Sequence, residues 1–257
     1  VKFIQKILYL SDVAGKPCPI LDSNDLQYKI LDSIFGSEYA DRLAFMGGTA
    51  LRILHGSSRF SEDLDFDNRG LAEQDFSALG EVVKKDLELQ GVRVEIQTRT
   101  RHAYRLSIRI PGLLFDTGLT DMPEKKILIE VDTTPQYFDY RPDQPIVNKF
   151  EVFTQINAVP RNILLAQKLF ASVNRNRLMG RDFFDIVFLY GMGAEPDFAY
   201  LDKYLGIRDA AKLKSYMLEK TAGLDFRLLA EDVAPFLFYT AEKSKVALFR
   251  EFVMQKM

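Results

Sequence analysis

Asp63-Leu64-Asp65-Phe66-Asp67 alternates acids with apolar residues, a pattern able to hold a cation. Side chains on a strand alternate faces, so Asp63, Asp65 and, if the strand runs far enough, Asp67 share one side. Leu64 and Phe66 then face a core, and the neighbouring carboxylates repel unless a counter-charge sits among them. Hard carboxylate oxygens suit Mg²⁺ (or Mn²⁺), which keeps waters and takes substrate phosphates as further ligands. Upstream, Gly47-Gly48-Thr49 reads as a turn opening a helix, whose unpaired N–H groups suit an anion. The Thr49 hydroxyl adds a donor. A glycine pair alone is also the default for any tight turn, and acids alone can simply be solvated. The two motifs in this order point to a metal-bound phosphate.

Three further groups could complete such a site. Glu130 and Asp132 share one face of the segment KILIEVDT and offer a third carboxylate, as metal ligand or as base for an attacking hydroxyl. Glu130 is preferred, because Asp132 sits at the strand end and could cap the Thr133-Thr134-Pro135 turn. Lys168, in an otherwise apolar helix, is a point charge suited to a triphosphate. Arg175, Arg177, Arg181, Asp182 and Asp185 follow it, with Arg181 and Asp185 spaced to pair along a helix. Arg59 and Ser61, just before the acids, could touch the α- or γ-phosphate. Arg93, Arg99, Arg101, Arg105 and Arg109 crowd two strands, either as anti-aggregation charge or as a guide for an RNA backbone. His55 is expected to end its helix, and Cys18 to be inert.

The elements that must position these groups fall into two parts. Leu26, Ile30, Leu31 and Ile34 predict a helix from Asp25 to Phe35, capped by Ser23 or Asn24. A strand Leu43–Met46, the glycine turn and a helix Ala50–Leu54 lead to the acidic strand. Glu73–Leu89 reads as a helix, and Val92–Thr98, Tyr104–Ile110 and Lys126–Thr133 as strands. Residues 1–24 read as an arm or short helix and a turn, and Gln136–Pro145 as a connector. From Pro160 the pattern is helical: Arg161–Asn174, Arg181–Tyr190, Asp197–Tyr204, Asp209–Leu218, Phe226–Leu229 and Thr240–Met257. The expected architecture is an α/β module over residues 1–145 and a helical module over 146–257.

Composition bounds the answer. The chain has 257 residues, 47% of them hydrophobic, and a net charge of −2 that argues against a strongly basic nucleic-acid binder but not against a local basic groove. One cysteine excludes an internal disulfide, and two histidines make a His-rich metal site a poor reading. No apolar run approaches the ~20 residues that span a bilayer, and no signal-peptide pattern opens the chain. No membrane association and a cytoplasmic protein are expected.

GGTAL (Gly47–Leu51) followed by RFSEDLDF (Arg59–Phe66) resembles the first signature of the AbiEii-like toxins, a group within the nucleotidyltransferase superfamily. LLAQKLFA (Leu164–Ala171) and GRDFFDI (Gly180–Ile186) are similar to that group's later Lys and Arg-Asp-x-x-Asp elements, and KILIEVDT to its intervening strand. The resemblance implies an α+β fold: a polymerase-β-like nucleotidyltransferase mixed sheet with flanking helices, plus a C-terminal helical domain completing the nucleotide cleft. It implies an NTP substrate, Mg²⁺, an acceptor such as tRNA, and a cognate antitoxin encoded nearby. On that basis Asp63 and Asp65 would hold metal with Glu130 or Asp132. Gly47, Gly48, Thr49, Arg59, Ser61, Lys168, Arg181, Asp182 and Asp185 would serve the nucleotide, with Asp182 and Asp185 left as alternatives for the closest contact. Two other readings stay open: a small-molecule, antibiotic-type nucleotidyltransferase, and a non-catalytic nucleotide-binding protein.

Overall fold

The computed structural model describes residues 23–100, 103–116 and 118–257. The expectations for residues 1–22, Cys18 included, and for Arg101 lie outside these residues, as do the side chains of Ser23 and Asn24. The described chain divides into two units. One comprises residues up to Gly56 with Phe60–Val159, the other Ser57–Arg59 with Pro160–Met257.

In the first unit the chain runs α1 (Ser23–Phe35), β1 (Leu43–Met46), α2 (Gly47–His55), β2 (Leu64–Asn68) and α3 (Glu73–Leu89). It continues through β3 (Glu95–Arg99), β4 (Tyr104–Pro111), the single turn α4 (Leu113–Asp116), β5 (Lys126–Thr134), β6 (Ile146–Lys149) and β7 (Val152–Gln155). Strands β1 to β5 form one sheet in the order β1-β2-β5-β4-β3. The pair β2/β5 is parallel and the others are antiparallel. The mixed sheet follows from the alternation in its strands. Leu64 and Phe66 of β2, Leu106, Ile108 and Ile110 of β4, and Ile127, Ile129 and Val131 of β5 are all buried. The apolar faces of α1 (Leu26, Ile30, Leu31, Ile34) and α3 (Phe76, Leu79, Val83, Leu87) join them in one core. The acids of β2 and β5 are left on the opposite face.

The first unit differs from the sequence expectation at several places, and β3 begins at Glu95, after the expected Val92. Helix α2 already begins at Gly47, so the glycines form its first turn and not a separate loop. The first unit also extends past residue 145. Phe45 N–H donates to Asn157 at 2.8 Å and Val159 N–H to Phe45 at 3.0 Å, stitching residues 157–159 to the edge of β1. The hairpin β6/β7 turns through Phe150 and Glu151, both at positive φ (52° and 64°), and Phe150 packs edge-on to Tyr28 of α1 at 5.3 Å.

The second unit is helical: α5 (Arg161–Asn174), α6 (Gly180–Gly191), α7 (Phe198–Leu205), α8 (Ala210–Lys220), α9 (Phe226–Val233), α10 (Ser244–Ala247) and α11 (Phe249–Lys256). Asp197, Asp209 and Asp225 are N-caps whose carboxylates accept from N–H groups two or three residues on, so the helices start one residue after the first two aspartates. Phe183, Phe226 and Phe249 make a three-ring core with centroids 4.9–5.3 Å apart. The expected helix over Thr240–Met257 is interrupted. A 3₁₀ turn at Thr240–Lys243 and a break at Leu248 (φ −100°, ψ 21°) let both Val246 and Phe249 reach the interior.

Gly180 opens α6 where a Cβ would lie 1.9 Å from the backbone oxygen of Leu229 in α9. Its N–H donates to Asp232 at 2.9 Å. Gly180→Ala must therefore push two helices apart, and we expect urea unfolding to show a loss of about 1–3 kcal/mol. An unchanged midpoint would mean that α9 yields without cost.

Candidate active site

The acids of the first unit are ordered by strand register. Asp65 stands abreast of Asp132 in the parallel pair β2/β5, and Asp132 abreast of Arg105 in β4. Glu130 lies two residues earlier on the same face of β5, and Asp63 two residues before Asp65, at the entry to β2. Four carboxylates thus occupy adjoining positions on one face of the sheet. Asp132 stands directly abreast of Asp65, while Glu130, the acid preferred from the sequence, lies one step further along the same face. Asp67 follows on this face, but its carboxylate accepts the Gln136 N–H at 2.9 Å and the Tyr140 hydroxyl at 2.6 Å. It is a strut for the connector after β5.

Burial pushes the Asp63 carboxyl up to about 6, and the charges of Asp65, Glu130, Glu62 and Asp132 push it in the same direction. The negative charge of this face is therefore under-compensated at Asp63. At the other end it is balanced. Arg105 makes a two-pronged pair with Asp132 (2.7 and 2.8 Å) and reaches Glu130 at 3.3 Å. Arg105 was one of five arginines read as edge charge or RNA guide. Its pairing with Asp132 is visible only in the register.

Three contacts fix the segment carrying Asp63. The Thr49 hydroxyl donates to the Asp63 carbonyl. Gln27, buried on α1, donates its amide to the carbonyls of Ser61 (3.2 Å) and Glu62 (2.7 Å) and accepts from Arg52. Thr49, fully buried, thus spends its hydroxyl on positioning the acid. Gln27 gave no sequence signal, since a lone Gln on an amphipathic helix reads as surface. Gly47 has φ +81°, and a Cβ there would meet the Asp65 carboxylate oxygen at 2.2 Å. Only glycine lets that carboxylate lie against the first turn of α2, which has no side-chain cap. Gly48 is buried in the same turn, and His55 ends the helix before Gly56 at φ +73°.

The other nucleotide candidates lie in the second unit. Arg59, 2% exposed, grips both oxygens of Asp185 at 2.9 Å. The Lys168 ammonium sits 2.8 Å from Asp185 and 3.3 Å from Asp182. Arg175 approaches Asp182 to 3.1 Å, near enough for an ion pair but not aligned as a hydrogen bond. Asp182 and Asp185 are fully buried. Burial acts to raise the Asp185 carboxyl, but the charges and hydrogen bonds of Arg59 and Lys168 outweigh it and hold it below the usual range. The Arg181–Asp185 pair suggested by helical spacing is not formed. Desolvated partners from a neighbouring helix and the 57–59 segment win over a half-exposed neighbour on the same helix. Ser61 is half-buried in the first unit.

Among the described residues no three His, Cys, Asp or Glu side chains form a ready-made metal site. Mg²⁺ does not require one, since it is held by one or two carboxylates plus waters and substrate phosphate. An all-carboxylate donor set, the excess charge at Asp63 and the close approach of Asp65 to Gly47 fit such an ion.

The family model described as nucleotidyl transferase AbiEii toxin, type IV toxin–antitoxin system, matches residues 29–247. The chain belongs to this AbiEii family. It is accordingly a nucleotidyltransferase, of a family that takes an NTP, generally uses a divalent metal, and forms the toxin half of toxin–antitoxin pairs. The AbiEii chain is also similar in fold to JHP933 from Helicobacter pylori, at 17% identity and TM-score 0.52, over 91% of this chain and 90% of that one. A second H. pylori structure, described as a nucleotidyltransferase, gives 19% identity and TM-score 0.52 over 91% and 94%. The nucleotidyltransferase toxin MenT4 from Mycobacterium tuberculosis H37Rv shares 19% identity, with TM-score 0.46 over 89% and 82%. No curated protein matches. No helix among the described residues is long and apolar enough to cross a membrane.

The charge on the acidic face carries a test in the metal-free protein. The Asp63 carboxyl sits at about 6 against an ordinary value of 3.8, so between these pH values the folded state binds more protons than the unfolded state. The stability contributed by this group is therefore full below about pH 4 and lost as pH rises through 6. Asp63→Asn removes that loss. Above pH 7 the variant is expected to be about 1–3 kcal/mol more stable than the wild type in chelator, with little difference at pH 4. Equal differences at both pH values would contradict the charge assignment.

Proposed function

We propose that the acidic face moves a nucleotidyl group from an NTP to a hydroxyl of an RNA acceptor, tRNA being the expected one, with Mg²⁺ or Mn²⁺ as cofactor. The observation that carries this is Asp65 abreast of Asp132, and next to an Asp63 held at about 6, against the uncapped first turn of a helix. Asp63 and Asp65 would hold the metal, which when bound lowers the pKa of the attacking hydroxyl and stabilises charge on the leaving pyrophosphate. The N–H groups of Gly47, Gly48 and Thr49 donate to the β- and γ-phosphates. Asp132, with Glu130 beside it, orients the acceptor hydroxyl and takes its proton, and Arg105 holds the Asp132 carboxylate in place through its two-pronged pair. From the second unit we propose Lys168 as a cation for the triphosphate, held by Asp182 and Asp185, with Arg59 and Arg181 as further nucleotide residues. Ser61 is proposed for the α- or γ-phosphate.

The biological setting supported by the family is a toxin restrained by an antitoxin, acting in the cytoplasm, with abortive infection as its proposed outcome. Incubation with each labelled NTP and total RNA tests the acceptor. Label in tRNA is expected. Label appearing only in small molecules would transfer the reading to an antibiotic-type enzyme, and no Mg²⁺-dependent NTP binding in calorimetry would leave a non-catalytic protein.

A further inference from the structure

One row of the sheet runs straight through the acids. In strand order it reads Met46 on β1, Asp65 on β2, Asp132 on β5, Arg105 on β4 and Arg99 on β3, each abreast of the next. Ile96 and Thr98, the alternate residues of β3, turn the other way and lie against Gly80 of α3. Arg99 therefore projects from the same face as Asp65 and Asp132, and it is exposed. The cations around it are engaged. Arg93 pairs with Asp116 at 3.0 Å, and Lys126 holds Glu95 at 2.7 Å. Arg105 gives two prongs to Asp132 and a third nitrogen to Glu130 at 3.3 Å. Arg109 donates to Gln97 at 3.4 Å. Arg99 has no acid partner among the described residues and stands directly opposite a second arginine, an unfavourable arrangement until an anion joins it. A bare charge on an edge strand also discourages strand addition wherever it falls, but this one falls in the row of the acids.

We propose that Arg99 binds a backbone phosphate of the acceptor RNA, and that the RNA strand reaches the acids across β3 and β4. The proposal rests on the nucleotidyl-transfer reading above. Its direction comes from the row. Gly47 abuts the Asp65 carboxylate from the β1 side, so phosphates held at the first turn of α2 lie on that side. If the pyrophosphate leaves there, in-line displacement puts the attacking oxygen on the opposite side, toward Asp132 and β4. An RNA strand brought there meets four carboxylates that repel its phosphates. The nearest cation in the row not already spent on those acids is Arg99. Strand spacing puts it about 10 Å from Asp132. A stacked strand carries a phosphate about every 3.4 Å, so the one at Arg99 lies within about three nucleotides of the reacting hydroxyl.

The test measures two bindings on the intact protein. Fluorescence anisotropy follows a fluorescein-labelled single-stranded RNA hexamer of mixed sequence over a salt series, and calorimetry follows MgATP. Arg99→Gln is expected to weaken the hexamer by about fivefold and to reduce the slope of log affinity against log salt by about 0.7, as for one lost phosphate contact. MgATP binding and the melting temperature are expected to stay unchanged. Lys85→Gln removes an exposed cation from α3, on the other side of the sheet, and should leave the hexamer as in the wild type. Unchanged affinity and slope in Arg99→Gln, an equal loss in Lys85→Gln, or no hexamer binding by the wild type overturns the proposal. So does a loss confined to MgATP, which would give Arg99 to the incoming nucleotide. A wild type that labels RNA while Arg99→Gln binds as before keeps the transfer reading and loses this one. Binding through Arg99 by a wild type that transfers no nucleotide upholds the surface and removes the transfer reading instead.

Discussion

Asp65→Asn is expected to lower nucleotidyl transfer by about 10³-fold or more, with the folded protein no less stable than the wild type. Asn keeps the size of Asp, so the packing against Gly47 survives, while the charge that would hold the cation is gone. Asp65 adds to the burial and the other acids in pushing the Asp63 carboxyl up, so neutralising it relieves repulsion in the metal-free state. Activity and stability are therefore expected to move in opposite directions, as they do where a fold tolerates unfavourable charge for function. Transfer of the labelled α-phosphate, measured beside a thermal melt in chelator, checks both halves. A variant with wild-type transfer would remove Asp65 from the site. One that lost activity only because it no longer folded would show it in the melt.

Asp185→Ala acts on the other unit and is expected to be the most destabilising single change there, by about 3–5 kcal/mol in urea unfolding. The carboxylate is fully buried, and both of its oxygens engage Arg59 while one also meets Lys168. Truncation leaves the guanidinium of a residue that is 2% exposed and an ammonium 3.3 Å from Asp182. It also detaches Ser57–Arg59 from α6. Because the Asp185 carboxyl is held below its ordinary value, its contribution is present above the ordinary carboxylate range and lost as pH falls through the lowered value. The wild-type advantage over the variant should accordingly shrink on acidification. A loss under 1 kcal/mol at pH 7 would show that water replaces the carboxylate, contrary to its burial.

The parts of this molecule legible from sequence were those with strong local periodicity or paired motifs. The helices Glu73–Leu89 and Arg161–Asn174 have the expected bounds because their apolar stripes are regular and Gly91 and Pro160 bracket them. Strand β5 and the acidic strand were readable from alternation. The hairpin β6/β7 escaped because its turn uses Phe150 and Glu151 in place of the Asn-Gly that normally marks positive φ. The continuation of the first unit to Val159 depended on backbone bonds to Phe45, which no side-chain pattern reports. At the site, residue types indicated the chemistry but not the pairings. That Asp132 is abreast of Asp65 is a matter of register, and that Asp185 chooses Arg59 over Arg181 is a matter of burial. Gln27 and Arg105 became visible only once the chain was folded, since each works through a partner at least 25 positions away.

Nucleotidyl transfer differs from phosphoryl transfer in which phosphate stays with the acceptor, and that difference is directly measurable. Two parallel reactions with total tRNA, one using NTPs labelled at the α-phosphate and one at the γ-phosphate, are run with Mg²⁺ and with chelator. The expected result is acceptor-bound label from the α-phosphate alone, γ-label recovered in pyrophosphate, and neither product in chelator. Acceptor labelled from the γ-phosphate, or α-label incorporated equally with and without the divalent cation, would contradict a metal-assisted nucleotidyltransferase built on Asp63, Asp65 and Asp132.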